Sequence, residues 1–228
     1  MIKKKSASPM SLKRKDIIDA ATRIFLRDGF AGASVNDIAV VADVSKRTLY
    51  KYFRSKTELF RAVVAERAVA YQSMLVAHAN IYEDPREVLI EYARQYLEMV
   101  LAPEALDLRR IVIAESQRFP DLARDFYAVG AKRGADILID YLKKLDAAGI
   151  LHIPDPVVTA DQFSALCRGS LRSRAYFDPQ LANNTRMVNR WITSAVDLFL
   201  RGCGYQEKNF ATAKVKSKAS AIRITTKV

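Results

Sequence analysis

Three times the chain places an aspartate directly before a proline, at Asp84-Pro85, Asp155-Pro156 and Asp178-Pro179. Each pair is a helix start: the carboxylate accepts an orphan N–H, and proline's fixed φ already suits the first helical position. Pro103 and Pro120 begin two more helices, and Gly149 and the Gly202-Cys203-Gly204 run mark ends. Ser34 and Ser45 are N-caps of two short helices, and Ser55-Lys56-Thr57-Glu58 is a capping box opening a helix to about Ala79. Over residues 12–28 a stripe of Ile17, Ala20, Ala21, Ile24 and Phe25 recurs at helical spacing, and Gly29 suits a left-handed cap. Alternating strand patterns and Asn-Gly or Asp-Gly hairpin turns are absent, as is a repeat of fixed period. The chain is therefore expected to be all-α, with about nine helices.

In 228 residues, half of them apolar, such helices can bury a core without disulfides or metal. The longest apolar run, Ile38 to Ala42, is far short of the roughly 20 residues of a membrane span, and no apolar stretch follows Lys3-Lys4-Lys5. No membrane partner and a cytoplasmic location are expected. Cys167, Cys203, His78 and His152 are too few for a zinc cluster, and no cofactor is expected. Paired carboxylates, a nucleophile with its base, or a phosphate-cradling glycine loop do not appear, so the chain does not read as an enzyme.

The charge is uneven. Residues 1–60 carry 13 Lys/Arg against 6 Asp/Glu, residues 61–200 carry 17 against 18, and residues 201–228 carry 7 against 1. Basic ends on a neutral middle suit either a polyanion such as nucleic acid or a merely solubilising tail.

Ser34 to Phe53, SVNDIAVVADVSKRTLYKYF, has two short helices about a turn at Ala42-Asp43-Val44, the layout of a helix-turn-helix. The second helix would enter the major groove with its N-terminal residues at base edges. Lys46 and Arg47 are donors for guanine, and Thr48 offers a hydroxyl and a methyl. Tyr50, Lys51, Tyr52 and Lys56 carry groups typical of phosphate ligands. The same pattern also suits two capped amphipathic helices with packed tyrosines.

Residues 14–60 closely resemble the N-terminal domain of TetR-family transcriptional regulators. The match runs through Ile18, Ala20-Ala21, Phe25, Gly29-Phe30, Ser34-Val35, Asp37-Ile38-Ala39, Val44-Ser45, Thr48-Leu49-Tyr50, Tyr52-Phe53, Ser55-Lys56 and Leu59. Asp43 departs from it, standing where that family usually has glycine, but Asp tolerates a left-handed backbone better than most residues. Leu108–Glu115, Arg118–Leu122 and Phe126-Tyr127 look like the AcrR/AefR-like subset. The resemblance implies a DNA-binding domain at 12–60 and a ligand-binding and dimerisation domain at 61–205; by composition 1–11 reads as a basic arm, and 206–228, rich in Lys, Ala, Ser and Thr without a sustained apolar face, as a flexible basic tail. The resemblance also implies that Lys46, Arg47, Thr48 and Tyr50 face DNA, with Ser34, Tyr52 and Lys56 near phosphates and Asn36 a weaker candidate.

By the same resemblance the last two helices, 156–175 and 179–200, pair with their copies in a homodimer. Ala160, Ser164, Cys167 and Leu171 give the first helix a small-residue surface; Met187, Trp191, Ala195 and Leu198 give the second an apolar one. Packing within the chain is the alternative for both. Tyr71, Met74, Tyr92, Tyr96, Met99, Phe119, Phe126 and Tyr127 offer apolar walls with polar tips for a small-molecule effector, though helical spacing suits ordinary packing for each singly. Glu115 suits a cation or, as the better fit, a salt bridge to a nearby arginine. The implied function is a dimeric repressor that reads a palindromic double-stranded DNA operator and is released by a small apolar or amphipathic ligand. The alternative is a non-specific nucleic-acid-binding protein driven by its basic ends.

Overall fold

The computed structural model describes residues 9–75, 83–207 and 210. Among them there is no strand. The elements are α1 (Pro9–Gly32), α2 (Val35–Val41), α3 (Lys46–Tyr52), α4 (Lys56–Leu75), α5 (Pro85–Leu101), α6 (Pro103–Glu115), α7 (Pro120–Ala147), α8 (Pro156–Ala175), a short 3-10 helix (Pro179–Asn183) and α9 (Thr185–Gly202). No helix among the described residues is long and apolar enough to cross a membrane.

The caps act as their chemistry requires. Asp84 accepts the N–H of Arg86, and Asp155 those of Val157 and Val158. In the capping box Ser55 Oγ accepts the Glu58 N–H at 3.1 Å, while the Glu58 carboxylate returns one residue further back, to the N–H of Arg54 at 2.7 Å. Two boundaries differ from the sequence reading. Asp178-Pro179 starts only the 3-10 helix, and α9 begins afresh at Asn184, whose side chain accepts the Met187 N–H at 3.0 Å. An asparagine that satisfies a backbone N–H from its own side chain offers an alternative to helix continuation, so Asn184 splits the segment. Gly29 does take a positive φ, 71°, but as a kink rather than an end: one further turn runs on to Gly32.

The chain forms two compact units, and they do not follow it in order. One comprises residues 1–70 with 103–131; the other comprises 71–102 with 132–228. In the first, α1 packs on α6 and α2, and α2 on α3. Phe25, Phe53, Phe60, Leu49 and Leu59 are fully buried there. Phe60 meets Phe25 edge-on at 5.0 Å and Phe30 at 5.4 Å, and Phe119 from just before α7 meets Phe30 at 5.0 Å. Each such edge-to-face pair adds roughly 0.5–1.5 kcal/mol beyond the area it buries.

In the second unit α5, α8 and α9 pack mutually. Phe163 of α8 sits edge-on against Phe199 of α9 at 4.7 Å and tilted over Tyr92 of α5 at 6.1 Å. The Arg86 guanidinium joins α5 to α9 through both Asp197 oxygens, at 2.8 and 3.4 Å. Beyond α7, the His152 N–H donates to the Cys203 carbonyl past the end of α9, at 2.9 Å.

α8 is bent at Gly169, whose φ of 38° and ψ of −135° are not helical. A Cβ there would lie 2.3 Å from Cζ2 of Trp191, so the missing side chain is what lets the indole of α9 lie on the α8 backbone. The indole N–H donates to the Leu166 carbonyl at 3.1 Å, a group whose regular helical partner, Ser170, lies beyond the bend. Gly169→Ala therefore meets both backbone strain and overlap. It should lower the stability of the protein by about 2–3 kcal/mol in urea unfolding, whereas Gly32→Ala, in helical backbone with its nearest neighbour at 3.6 Å, should leave it nearly unchanged.

Candidate nucleic-acid interface

The turn before α3 carries the first constraint on the interface. Asp43 adopts φ 52°, the left-handed conformation expected of the position, and its N–H donates to the Val40 carbonyl at 3.1 Å while that of Val44 donates to Ala39 at 3.0 Å. The chain thus turns from α2 into α3 within a few residues, and Ser45 caps α3 by accepting the Thr48 N–H at 3.1 Å. Leu49 and Phe53, 1% and 2% exposed, pin the inner face of α3. Arg14 of α1 stacks its guanidinium over the Phe53 ring at 5.2 Å, an anchor the sequence spacing did not reveal.

That anchoring decides which candidates point outward. Lys46, Arg47 and Lys51 are exposed, as is Tyr50. Thr48 is half-buried, with its hydroxyl 2.9 Å from that of Ser45. Tyr52 is also half-buried and packs against the unit's core. On α2, Asn36 is exposed; Ser34 Oγ accepts the N–H of Asn36 at 3.2 Å and of Asp37 at 3.5 Å. Eight of the nine candidates therefore lie on α3 or at the start of α2.

The ninth, Lys56, starts α4. Tyr50 shares the outer side of α3 with Lys46 and Lys51, whereas Lys56 turns inward. Its ammonium donates to the carbonyls of Ala31 and Ala33 at 3.1 and 3.0 Å and stands 4.9 Å from the Phe30 ring centroid. Burial holds its pKa below the usual lysine value against the opposing charge of Glu115. Glu115 itself does not sit where the sequence suggested: its carboxylate accepts the backbone N–H of Ala31 at 3.1 Å. A backbone partner 84 residues away leaves no periodic trace, and only the basic and acidic residue types were legible.

The effector candidates divide between the units. Phe119 and Phe126 pack against the core of the first, and Tyr127 is exposed. Tyr92, Tyr96 and Met99 lie on α5 in the second; Tyr92 is buried and stacks on half-buried Tyr96 at 6.4 Å, and the Tyr96 hydroxyl accepts from Arg168 at 3.3 Å. The side chains of Tyr71 and Met74 lie outside the described residues.

The dimer candidates divide too. Ala160, Cys167 and Leu171 are at most 1% exposed within their own chain, so they face its core rather than a surface, and the half-buried Ser164 donates its hydroxyl to the Ala160 carbonyl. Small residues at this spacing let α8 approach its own neighbours closely. The α9 candidates Met187, Trp191, Ala195 and Leu198 line one groove with Leu166, Arg190 and Ser194. Leu198 is 53% exposed and Leu166 36%. Burial pushes the Cys167 thiol up to about 12 and raises that of Cys203, away from the reactive thiolate range. No group of His, Cys, Asp or Glu among the described residues is placed to hold a metal ion.

Residues 17–63 match the family described as bacterial regulatory proteins, tetR family, and residues 87–205 match the AefR-like transcriptional repressor C-terminal domain. The helix-turn-helix-type regulator RutR of Escherichia coli K12 is 29% identical over 178 residues, covering 77% of this chain and 71% of RutR. The solved structure of the flavonoid-responsive regulator FrrA is 33% identical with a TM-score of 0.74, covering 85% of this chain and 97% of that one. A TetR-family regulator from Pseudomonas syringae pv. tomato DC3000 is 29% identical with a TM-score of 0.61, covering 82% and 95%.

The turn itself is testable. A β-branched residue in left-handed backbone is strained by about 1–2 kcal/mol, so Asp43→Val should lower thermal stability while Asp43→Gly should not, as measured by calorimetry.

Proposed function

The chain belongs to the TetR family of transcriptional regulators, and from that premise we propose that it is a dimeric repressor whose α3 reads an operator and whose release is set by a small apolar or amphipathic ligand. The observation that carries this reading is the first turn of α3, where Lys46 and Arg47 are exposed on a helix pinned from behind by Leu49 and Phe53. Donors carried at the N-terminus of a fixed helix are what base recognition needs, because the seating of the helix decides which base edge each side chain can reach. Tyr50 and Lys51 extend the same surface, and Thr48 keeps its methyl for a thymine. Ser34, Asn36 and Tyr52 flank it as phosphate or outer contacts that set register without reading sequence.

The groove of Met187, Trp191, Ala195 and Leu198, with Leu166 and Arg190, supports α9 as the face that meets a second copy. A symmetric pair presents two α3 helices to half-sites about 34–36 Å apart or a further helical turn along. The Tyr92–Tyr96 stack beside Arg168 supports an effector with an aromatic, partly polar surface, and the name of the flavonoid-responsive relative points the same way. Ligand binding would favour a spacing of the two reading helices that no longer fits both half-sites.

Mixing the protein with sheared genomic DNA at about 150 mM salt, where long-range charge attraction is screened, and sequencing what is retained tests the reading directly. An enriched palindrome is expected; retention without an enriched sequence would replace operator recognition by indifferent binding through the basic ends. With that duplex in hand, Arg47→Ala should lose about 1–3 kcal/mol of specific affinity and relax preference at one base pair, read by titrating single-base variants. Leu198→Glu, which puts a charge into the apolar groove, should give a monomer in sedimentation velocity.

A further inference from the structure

Between the kink at Gly29 and the cap at Ser34 the chain makes one isolated turn. An isolated turn has unmet N–H groups at its start and unmet carbonyls at its end, and its conformation is costly to hold alone. Here both ends are met from elsewhere in the same unit. The Glu115 carboxylate, from the end of α6, takes the Ala31 N–H. The Lys56 ammonium, from the start of α4, takes the carbonyls of Ala31 and Ala33. Phe30, inside the turn, is boxed by Phe25, Phe60 and Phe119 and roofed by that ammonium. Directly after Ala33 comes Ser34, the cap of α2.

We propose that Glu115 and Lys56 form a two-ended clip that holds this turn, and that they are thereby positioning residues for α2 and α3 rather than contacts with DNA. The inference rests on the reading of this unit as an operator binder. It assigns Lys56 inward, and it makes a residue of the AefR-like segment, 87–205, part of the machinery that sets the reading helix. Acid and base serve opposite ends of one turn, each matched to the helix dipole: negative charge at the N–H end and positive at the carbonyl end.

Electrostatics alone gives the opposite outcome for Glu115, since deleting an acid from a DNA-binding surface strengthens attraction to phosphates. Three full-length variants separate the possibilities: Glu115→Gln, whose amide oxygen still accepts the Ala31 N–H; Glu115→Leu, which cannot; and Lys56→Met, which keeps length without donors. Circular dichroism confirms that each is folded. Amide hydrogen exchange, which needs no DNA, should quicken around Ala31–Ser34 in Glu115→Leu and Lys56→Met but not in Glu115→Gln. Against the enriched duplex, Glu115→Leu should bind about tenfold more weakly, with Glu115→Gln near the parent, while a random duplex of equal length binds all three Glu115 forms alike or binds the two variants more tightly. Lys56→Met should weaken operator binding with an unchanged salt slope. Unaltered exchange in Glu115→Leu, or a slope reduced by about 0.9 in Lys56→Met, the signature of one lost phosphate contact, would overturn the clip. Should no duplex be enriched, the operator reading fails by itself and the exchange result still decides whether the turn is held this way.

Discussion

Phe30 is the residue on which the first unit turns. It sits one position beyond the Gly29 kink, so burying its ring among Phe25, Phe60 and Phe119 fixes where the backbone leaves α1 and where α2 starts. The three ring contacts come from α1 itself, from α4 and from just before α7, the last two distant in sequence. A ring buried from three directions cannot rotate to follow a shift in any one of them without opening a void. Helix α3 inherits its orientation from this arrangement, because only Ser34, the short α2 and the turn at 42–45 separate it from the turn that contains Phe30.

Much of the fold was legible because its signals are local. An aspartate before a proline, a serine three residues ahead of a glutamate, and an apolar stripe at helical spacing each act within one turn, and the helices begin where those groups predict. The misses share a cause as well. Asn184 splits the last helical segment through a side-chain bond that competes with helix propagation on nearly equal terms, and the extra turn after Gly29 is held by groups 23 and 84 residues away. The first is a local competition whose winner residue types alone do not name, and the second lies outside any window of ten residues.

The site was half legible for a related reason. Lys46, Arg47 and Lys51 are exposed because Leu49 and Phe53 take the inner face, which spacing alone predicts. Lys56 belongs to the same basic run yet points inward, since a flexible side chain follows the nearest unmet carbonyls rather than the charge pattern around it. On α8, the small residues Ala160 and Cys167 and the neighbouring Leu171 form a surface by sequence, but a narrow helix face can serve close approach within a chain as well as between chains. The α9 residues differ because that helix is apolar on more than one side: Ile192, Val196 and Leu200 are buried while Leu198 remains open.

The seating of Trp191 against Gly169 has a practical consequence. It is the chain's single tryptophan, half-buried, bonded through its N–H to a backbone carbonyl, and one wall of the α9 groove. Indole emission responds to polarity and to hydrogen bonding at the ring nitrogen, so the unlabelled protein carries one intrinsic optical reporter. Its signal comes from the bend of α8 and the groove beside it, without overlap from a second indole. Dilution series and ligand titrations can therefore be followed at a known structural address.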